Sequence, residues 1–154
     1  MPRYFTYKFR DGPLSSAEEL SGNWSTGNCR RAVQHYIFTR KNLFLSPNDI
    51  LCPAGYYKTG TFVVDRNQVF HSDLLTDGDV IYAEKIRDKN GKDTRMTEKA
   101  FTSVDEYIIS LHTALFTGKR KEEIWHATAV EGNSCYWSFE KFLNYYHPVA
   151  AKRI

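Results

Sequence analysis

Between residues 28 and 41 the apolar positions Cys29, Ala32, Val33, Tyr36 and Ile37 recur at the i, i+3, i+4, i+7, i+8 spacing of one helical face. Asn28 stands directly before them as a good N-cap, and Gly27 lets the chain turn in. The spacing predicts a helix with Cys29 in its first turn, at the start of its core face. Arg30, Arg31 and Gln34 fall on other faces, so the two arginines read first as a solvated surface and second as a substrate-binding patch. Upstream, Ser15 and Ser16 precede Glu18 and Glu19 at capping-box spacing, which predicts a short helix. Residues 1–13 alternate as a short strand or clamping arm and end in the turn Asp11-Gly12-Pro13.

The pattern then changes period. Residues 43–60 carry Pro47, Pro53, Gly55 and Gly60 and predict an irregular connection, long enough to form one wall of a cleft. A short strand is expected at 61–65, and a buried strand at VIYAEKI after an Asp77-Gly78 turn. Residues 88–100 are polar and read as a solvated hairpin tip around Asn90-Gly91. Residues 105–116 read as a long strand, with Ile108, Ser110, His112, Ala114 and Phe116 on one face and Tyr107, Ile109, Leu111 and Leu115 on the other. Residues 123–130 return with Ile124, His126, Thr128 and Val130 on the face of His112. A turn at 130–133 leads into SCYW. Ser138 then caps a helix, FEKFLNYY, with Phe139, Phe142, Leu143 and Tyr146 inward. His147-Pro148 should stop it, and 149–154 should be a closing strand. Helices followed by strands on short turns predict an α+β fold with an antiparallel sheet.

Composition narrows the function classes. The chain has 154 residues, 42% hydrophobic and 25% charged, which suits one globular domain with a full core. No internal repeat or low-complexity segment divides it. A formal charge of +3 argues against nucleic acid or a membrane surface as the main partner. Cys29, Cys52 and Cys135 are too few for a disulfide scaffold and show no C-x-x-C spacing, which leaves no zinc-knuckle or redox motif. No secretory h-region or spanning stretch is visible, so the expectation by default is a cytoplasmic protein.

The candidate chemistry lies in residues 111–126. With Gly118-Lys119-Arg120 as a hairpin loop, His112 falls opposite His126, their Cβ atoms roughly 4.5–5.5 Å apart. A cysteine at a helix N-terminus is favoured as thiolate by the unpaired amides and the helix dipole. An imidazole beside it serves as base and then as acid, and a third polar group orients that ring. The hairpin supplies both imidazoles, and spacing alone does not say which is which. Cys52 sits beside Pro53 with no nearby histidine and receives no role; Cys135 reads as packing. His35, His71 and His147 read as surface or helix-end residues. Asn23 and Trp24, just before the cysteine, are placed to line a pocket or help hold an oxyanion.

In order along the chain, GNWSTGNCRRAVQ, TDGDVIYAE, HTALFTG, IWHAT and the ending FLNYYHPVAAKRI resemble the NlpC-type papain-like cysteine peptidases. The resemblance spans about residues 21–154. It implies a papain-like α+β domain whose nucleophile-bearing helix packs on an antiparallel sheet, with residues 1–20 as an N-terminal arm and short helix. It implies Cys29 as nucleophile, His112 as general base and His126 as orienting residue. Asn23, Trp24, Asn28 and Arg30, placed beside the cysteine in the chain, are the candidate substrate contacts, with core packing an equal reading for Trp24. The implied reaction is hydrolysis of an amide in a cell-wall-type peptide, one containing D-amino acids or a γ-glutamyl link, through a thioester. No cofactor or metal is implied, and proteins of this family are often exported. Asn28 and Arg30 depart from the usual Asp before and small residue after the cysteine, and 43–60 and 88–100 have no clear counterpart. Two other readings use the same residues: a catalytically degraded binding module, its arginines recruiting an acidic ligand, and a Cys/His/His zinc site with an open fourth position.

Overall fold

The computed structural model describes residues 12–19, 28–50, 56–118 and 123–154. Their elements run α1 (Cys29–Lys41), a short α2 (Pro47–Ile50), β1 (Thr61–Val64), β2 (Val80–Lys85), α3 (Val104–Ser110), β3 (His112–Gly118), β4 (Glu123–Thr128), β5 (Asn133–Trp137), α4 (Phe139–Tyr145) and β6 (Tyr146–Arg153). The class is α+β, with a six-stranded antiparallel sheet in the order β1-β6-β2-β3-β4-β5. Among the described residues, no helix is long and apolar enough to cross a membrane.

Alternation along the strands divides the interior in two. Helix α1 packs on β3 and β4 and buries Ala32, Val33 and Ile37 against Leu115, Trp125 and Ala127. The indole of Trp125 also donates to the Ala32 carbonyl at 3.0 Å, which pins the helix to the sheet. On the opposite face Ile81, Ala114, Phe116 and Ile124 meet Trp137 and Phe142, the latter from α4. Burying one such aromatic or aliphatic side chain stabilises the fold by about 1.5–3 kcal/mol.

Most local expectations hold. Asn28 caps α1, and Ser138 caps α4 by accepting from the Lys141 amide. Ser16 accepts from the Glu19 amide, as a capping box requires. The strands at 61–64 and 80–85 and the turns at 77–78 and 130–132 stand where expected. Of the strand or clamping arm expected at residues 1–13, residues 1–11 lie outside the described residues.

Five expectations fail, each for a physical reason. Arg30 and Arg31 are buried, not solvated, because residues distant in the chain pack beside them, Gly12 at Arg31 and Tyr57 and His112 near Arg30. Arg31 Nε donates to the Gly12 carbonyl, and the Gln34 side chain bonds the Leu14 amide, the Leu14 carbonyl and the Leu45 carbonyl. The first part of the expected long strand is helix α3. Ser103 accepts from the Glu106 amide and the Glu106 carboxylate bonds Thr102, so a capping box outweighs the short alternating pattern. The β3–β4 pairing is shifted: Leu115 faces Trp125 and Phe116 faces Ile124, with a bulge before Gly118 at φ +93°. Leu143 is 45% exposed, because the last turn of α4 buries only its Phe142 side. His147 and Pro148 do not end the helix region as a break; they lie within β6, which begins at Tyr146.

Candidate functional site

A cavity of about 890 Å³ opens where α1 begins, β3 begins and β4 ends. Its size lies within the roughly 300–1,000 Å³ of small-molecule and peptide pockets. Cys29, His112 and Tyr146 line it, between the 129–133 turn on one side and residues of the 85–94 loop on the other. Among the described residues the 43–60 connection supplies no lining. The wall expected from it comes from 85–94 instead, while Tyr56 and Tyr57 of that connection are core residues.

Cys29 is the first residue of α1 and is half-buried. Asn28 fixes this end: its Oδ1 accepts from the Arg30 amide at 3.0 Å and the Arg31 amide at 3.1 Å. Two of the donors that a helix start offers are thereby used, and the Cys29 N–H is the helix-start amide that remains beside the sulfur. Asn28 therefore acts as a cap that also borders the cavity. Buried Arg30 lines it as well, and its carbonyl accepts from the Tyr57 hydroxyl at 3.5 Å. Asn23, Trp24 and Gly27 lie outside the described residues, as does Cys52.

The two histidines meet. His112 Nε2 lies 2.8 Å from His126 Nδ1, with the rings 3% and 0% exposed. They are not directly opposed, as the hairpin reading required. The observed register, continued by one residue beyond Leu115 and Trp125, sets Ala114 opposite His126, so the imidazoles bond across a diagonal. A shift of two residues leaves each side chain on its own face, which is why the contact survives it. Both rings belong to the sheet face under α4, with Ala114, Phe116 and Ile124, whereas α1 covers the other face. His112 reaches the cavity because it is the first residue of β3, at the sheet's end. Among the described residues, no hydrogen bond joins Cys29 Sγ to His112.

Aromatic rings enclose the pair. Tyr146 stacks on His112 with centroids 4.1 Å apart and planes at 15°, and its hydroxyl is bonded to Thr128 Oγ1. His126 makes edge contacts with Trp137 at 4.6 Å and Phe142 at 5.6 Å. Its Nε2 is buried with no hydrogen-bond partner among the described residues. Trp137, Phe142 and Tyr146 rings surround this imidazole, and aromatic surroundings favour an N–H over a bare lone pair. The surroundings therefore assign the proton on His126 to Nε2 and make its Nδ1 an acceptor. His112 then donates through Nε2, and its Nδ1 lone pair is the basic position left for the cavity.

Electrostatics keep both rings neutral. Burial holds His112 well below the ordinary imidazole range, aided by His126 and by the positive charges of Lys85 and Arg30. Burial, with Lys141, lowers His126 to about 3. Burial is also the main reason that the Tyr146 hydroxyl is raised above its usual range, with Cys29 and Cys135 adding to the effect. Tyr146 was expected only as core; its stacking on His112 at the cavity is a placement that helical periodicity could not show.

The other candidates separate. His35 is buried, against the surface expectation, and burial lowers it to about 4; its Nδ1 lies 3.4 Å from Thr39 Oγ1. His71 and His147 are exposed, the latter in β6. Cys135 lies mid-strand in β5 opposite His126, packed against the second core. Among the described residues, no group of three His, Cys, Asp or Glu side chains is placed to hold a metal. The facing nitrogens of His112 and His126 are spent on each other, so the Cys/His/His zinc arrangement is not the one built here.

No protein-family profile, curated protein or solved structure matches this chain.

Proposed function

We propose that the protein is a cysteine hydrolase that cleaves an amide bond through a thioester on Cys29, as a papain-like domain of NlpC type would. The observation that carries the reading is a cysteine at a capped helix start sharing one cavity with a histidine whose far nitrogen is held by a second histidine. His112 Nδ1 takes the Cys29 proton, and the sulfur adds to the substrate carbonyl. The Cys29 N–H donates to the developing oxyanion. The tetrahedral adduct collapses as the C–N bond breaks, and His112 returns the proton to the leaving amine. Water, deprotonated by His112, then adds to the thioester, and the C–S bond breaks to release the acid and restore the thiol. His126 and Tyr146 hold the base ring in place through the Nε2–Nδ1 bond and the stack. The substrate class that fits the resemblance is a peptide with D-amino acids or a γ-glutamyl link.

The test is hydrolysis of a panel of such dipeptides by wild type and Cys29→Ser, with the rate of iodoacetamide labelling at each cysteine. Turnover lost in Cys29→Ser, with Cys29 labelled well ahead of Cys52 and Cys135, is the expected result. Equal slow labelling of all three cysteines and no turnover would sink the proposal. One observation favours a silent binding module instead: the missing bond between Cys29 and His112 among the described residues. That second reading predicts a panel peptide bound, by calorimetry, without turnover.

A further inference from the structure

The cavity has a charged wall that the catalytic reading does not use. It comes from the end of β2 and the loop after it, which contribute Lys85, Arg87, Asp88 and Lys89. The loop is internally braced: Asp88 Oδ1 accepts from the Asn90 amide at 2.8 Å and the Lys92 amide at 3.0 Å. The Thr94 amide donates to the Ile86 carbonyl, and Arg87 Nη1 donates to the Asn144 carbonyl at 2.8 Å. A braced loop holds its side chains at a fixed edge of the cavity.

The balance of charge there is one-sided. Of the acidic groups on the lining, Asp88 is used by the loop amides, and Glu131 Oε1 accepts from Lys141 Nζ at 2.8 Å and Trp137 Nε1 at 3.1 Å. Arg87 is anchored to Asn144 and lies 3.5 Å from Asp93. Lys85 and Lys89 are exposed and, among the described residues, have neither an ion pair nor a hydrogen bond. Two uncommitted ammonium groups thus border a cavity whose carboxylates already have hydrogen-bond partners, Glu131 with the cation Lys141 and Asp88 with its own loop amides. Lys85 is also close enough to His112 to act on its charge.

We propose that Lys85 and Lys89 form an anion-recognising wall, and that the molecule processed at Cys29 carries a carboxylate near its scissile amide. The inference rests on the hydrolase reading for the word "processed"; the wall itself does not. Field lines from paired cations at a low-dielectric cleft raise the local concentration of anions and their encounter rate.

The probe is a pair of alkylating reagents of similar size, anionic iodoacetate and neutral iodoacetamide. In both, sulfur forms a bond to the methylene carbon and iodide leaves with the electron pair. The rate at Cys29, followed by peptide mapping, is measured for wild type and for Lys85→Gln/Lys89→Gln, two exposed positions where the fold is not at stake. The ratio of the two rates cancels the intrinsic reactivity of the thiol. In dilute buffer the iodoacetate-to-iodoacetamide ratio should be about tenfold higher in wild type than in the double variant. The difference should shrink at about 0.5 M salt, as screening requires. Equal ratios in the two proteins overturn the wall. Slow labelling of Cys29 by both reagents, with the ratio still salt-sensitive and lysine-dependent, overturns the hydrolase reading and leaves the wall standing.

Discussion

Lowering the pH from 7 to 5 should weaken the fold by about 4 kcal/mol through His112 and His126 alone. Both rings are buried and share one hydrogen bond, and burial disfavours the charged form of each. In the unfolded chain each protonates near 6.5. Below that pH the unfolded state binds protons that the folded state refuses, so stability falls as pH falls and recovers as it rises. For a ring that stays neutral when folded, the loss is RT ln(1 + 10^(6.5 − pH)). That is about 0.2 kcal/mol at pH 7 and about 2 kcal/mol at pH 5, hence about 4 kcal/mol for two rings. His35, lowered to about 4 by burial, adds a similar loss of its own, and most carboxylates titrate below the window. Against the roughly 5–15 kcal/mol that holds a domain together, the total is enough to bring acid unfolding close to pH 5.

The assay is urea unfolding at pH 7 and pH 5 for wild type and for His112→Asn/His126→Gln. The double variant keeps amide groups that can bond each other but cannot titrate, and His35 acts equally in both proteins. The pH-dependent loss should therefore be about 4 kcal/mol smaller in the variant. The ring signals of His112 and His126 in NMR should meanwhile show no protonation down to pH 5. An identical pH dependence in the two proteins, or protonation of either ring near 6, would refute the buried neutral pair and with it the assignment of His112 Nδ1 as a free base.

Three further outcomes follow from the packing. Ser103→Ala removes the cap of α3 and should cost about 1 kcal/mol in chemical denaturation; no change would mean that the Glu106 amide finds another partner. Phe142→Ala should cost about 3–5 kcal/mol, whereas Leu143→Lys, one residue on and 45% exposed, should stay within about 0.5 kcal/mol. Comparable losses at the two positions would contradict the orientation of α4. Gln34→Ala should cost about 2 kcal/mol or more, because it leaves the Leu14 amide and two carbonyls without their partner, and should raise proteolysis between residues 12 and 19.

What the sequence by itself determined is local. The five apolar positions of α1 and its Asn28 cap could be read directly, because both signals act within one or two turns of chain. The same holds for the strand at 80–85, for the capped helix after Ser138 and for the shared face of His112 and His126. Helix α3 was legible too, through Ser103 and Glu106, but a seven-residue segment satisfies helical and alternating patterns almost equally well.

Tertiary structure decided the rest. A period-two pattern is unchanged by a register shift of two residues, so only the bulge before Gly118 and the neighbouring strands could make the histidine contact diagonal. Arg30 and Arg31 look solvated on a helical wheel because the residues packed beside them, Gly12 at one and Tyr57 and His112 near the other, are distant in the chain. The neutrality of the imidazoles, and the wall of Lys85 and Lys89 beside them, depend on which elements close around one end of the sheet. Residue type and spacing set which chemistry was available; burial and charge, which are properties of the packed whole, set the state in which it is held.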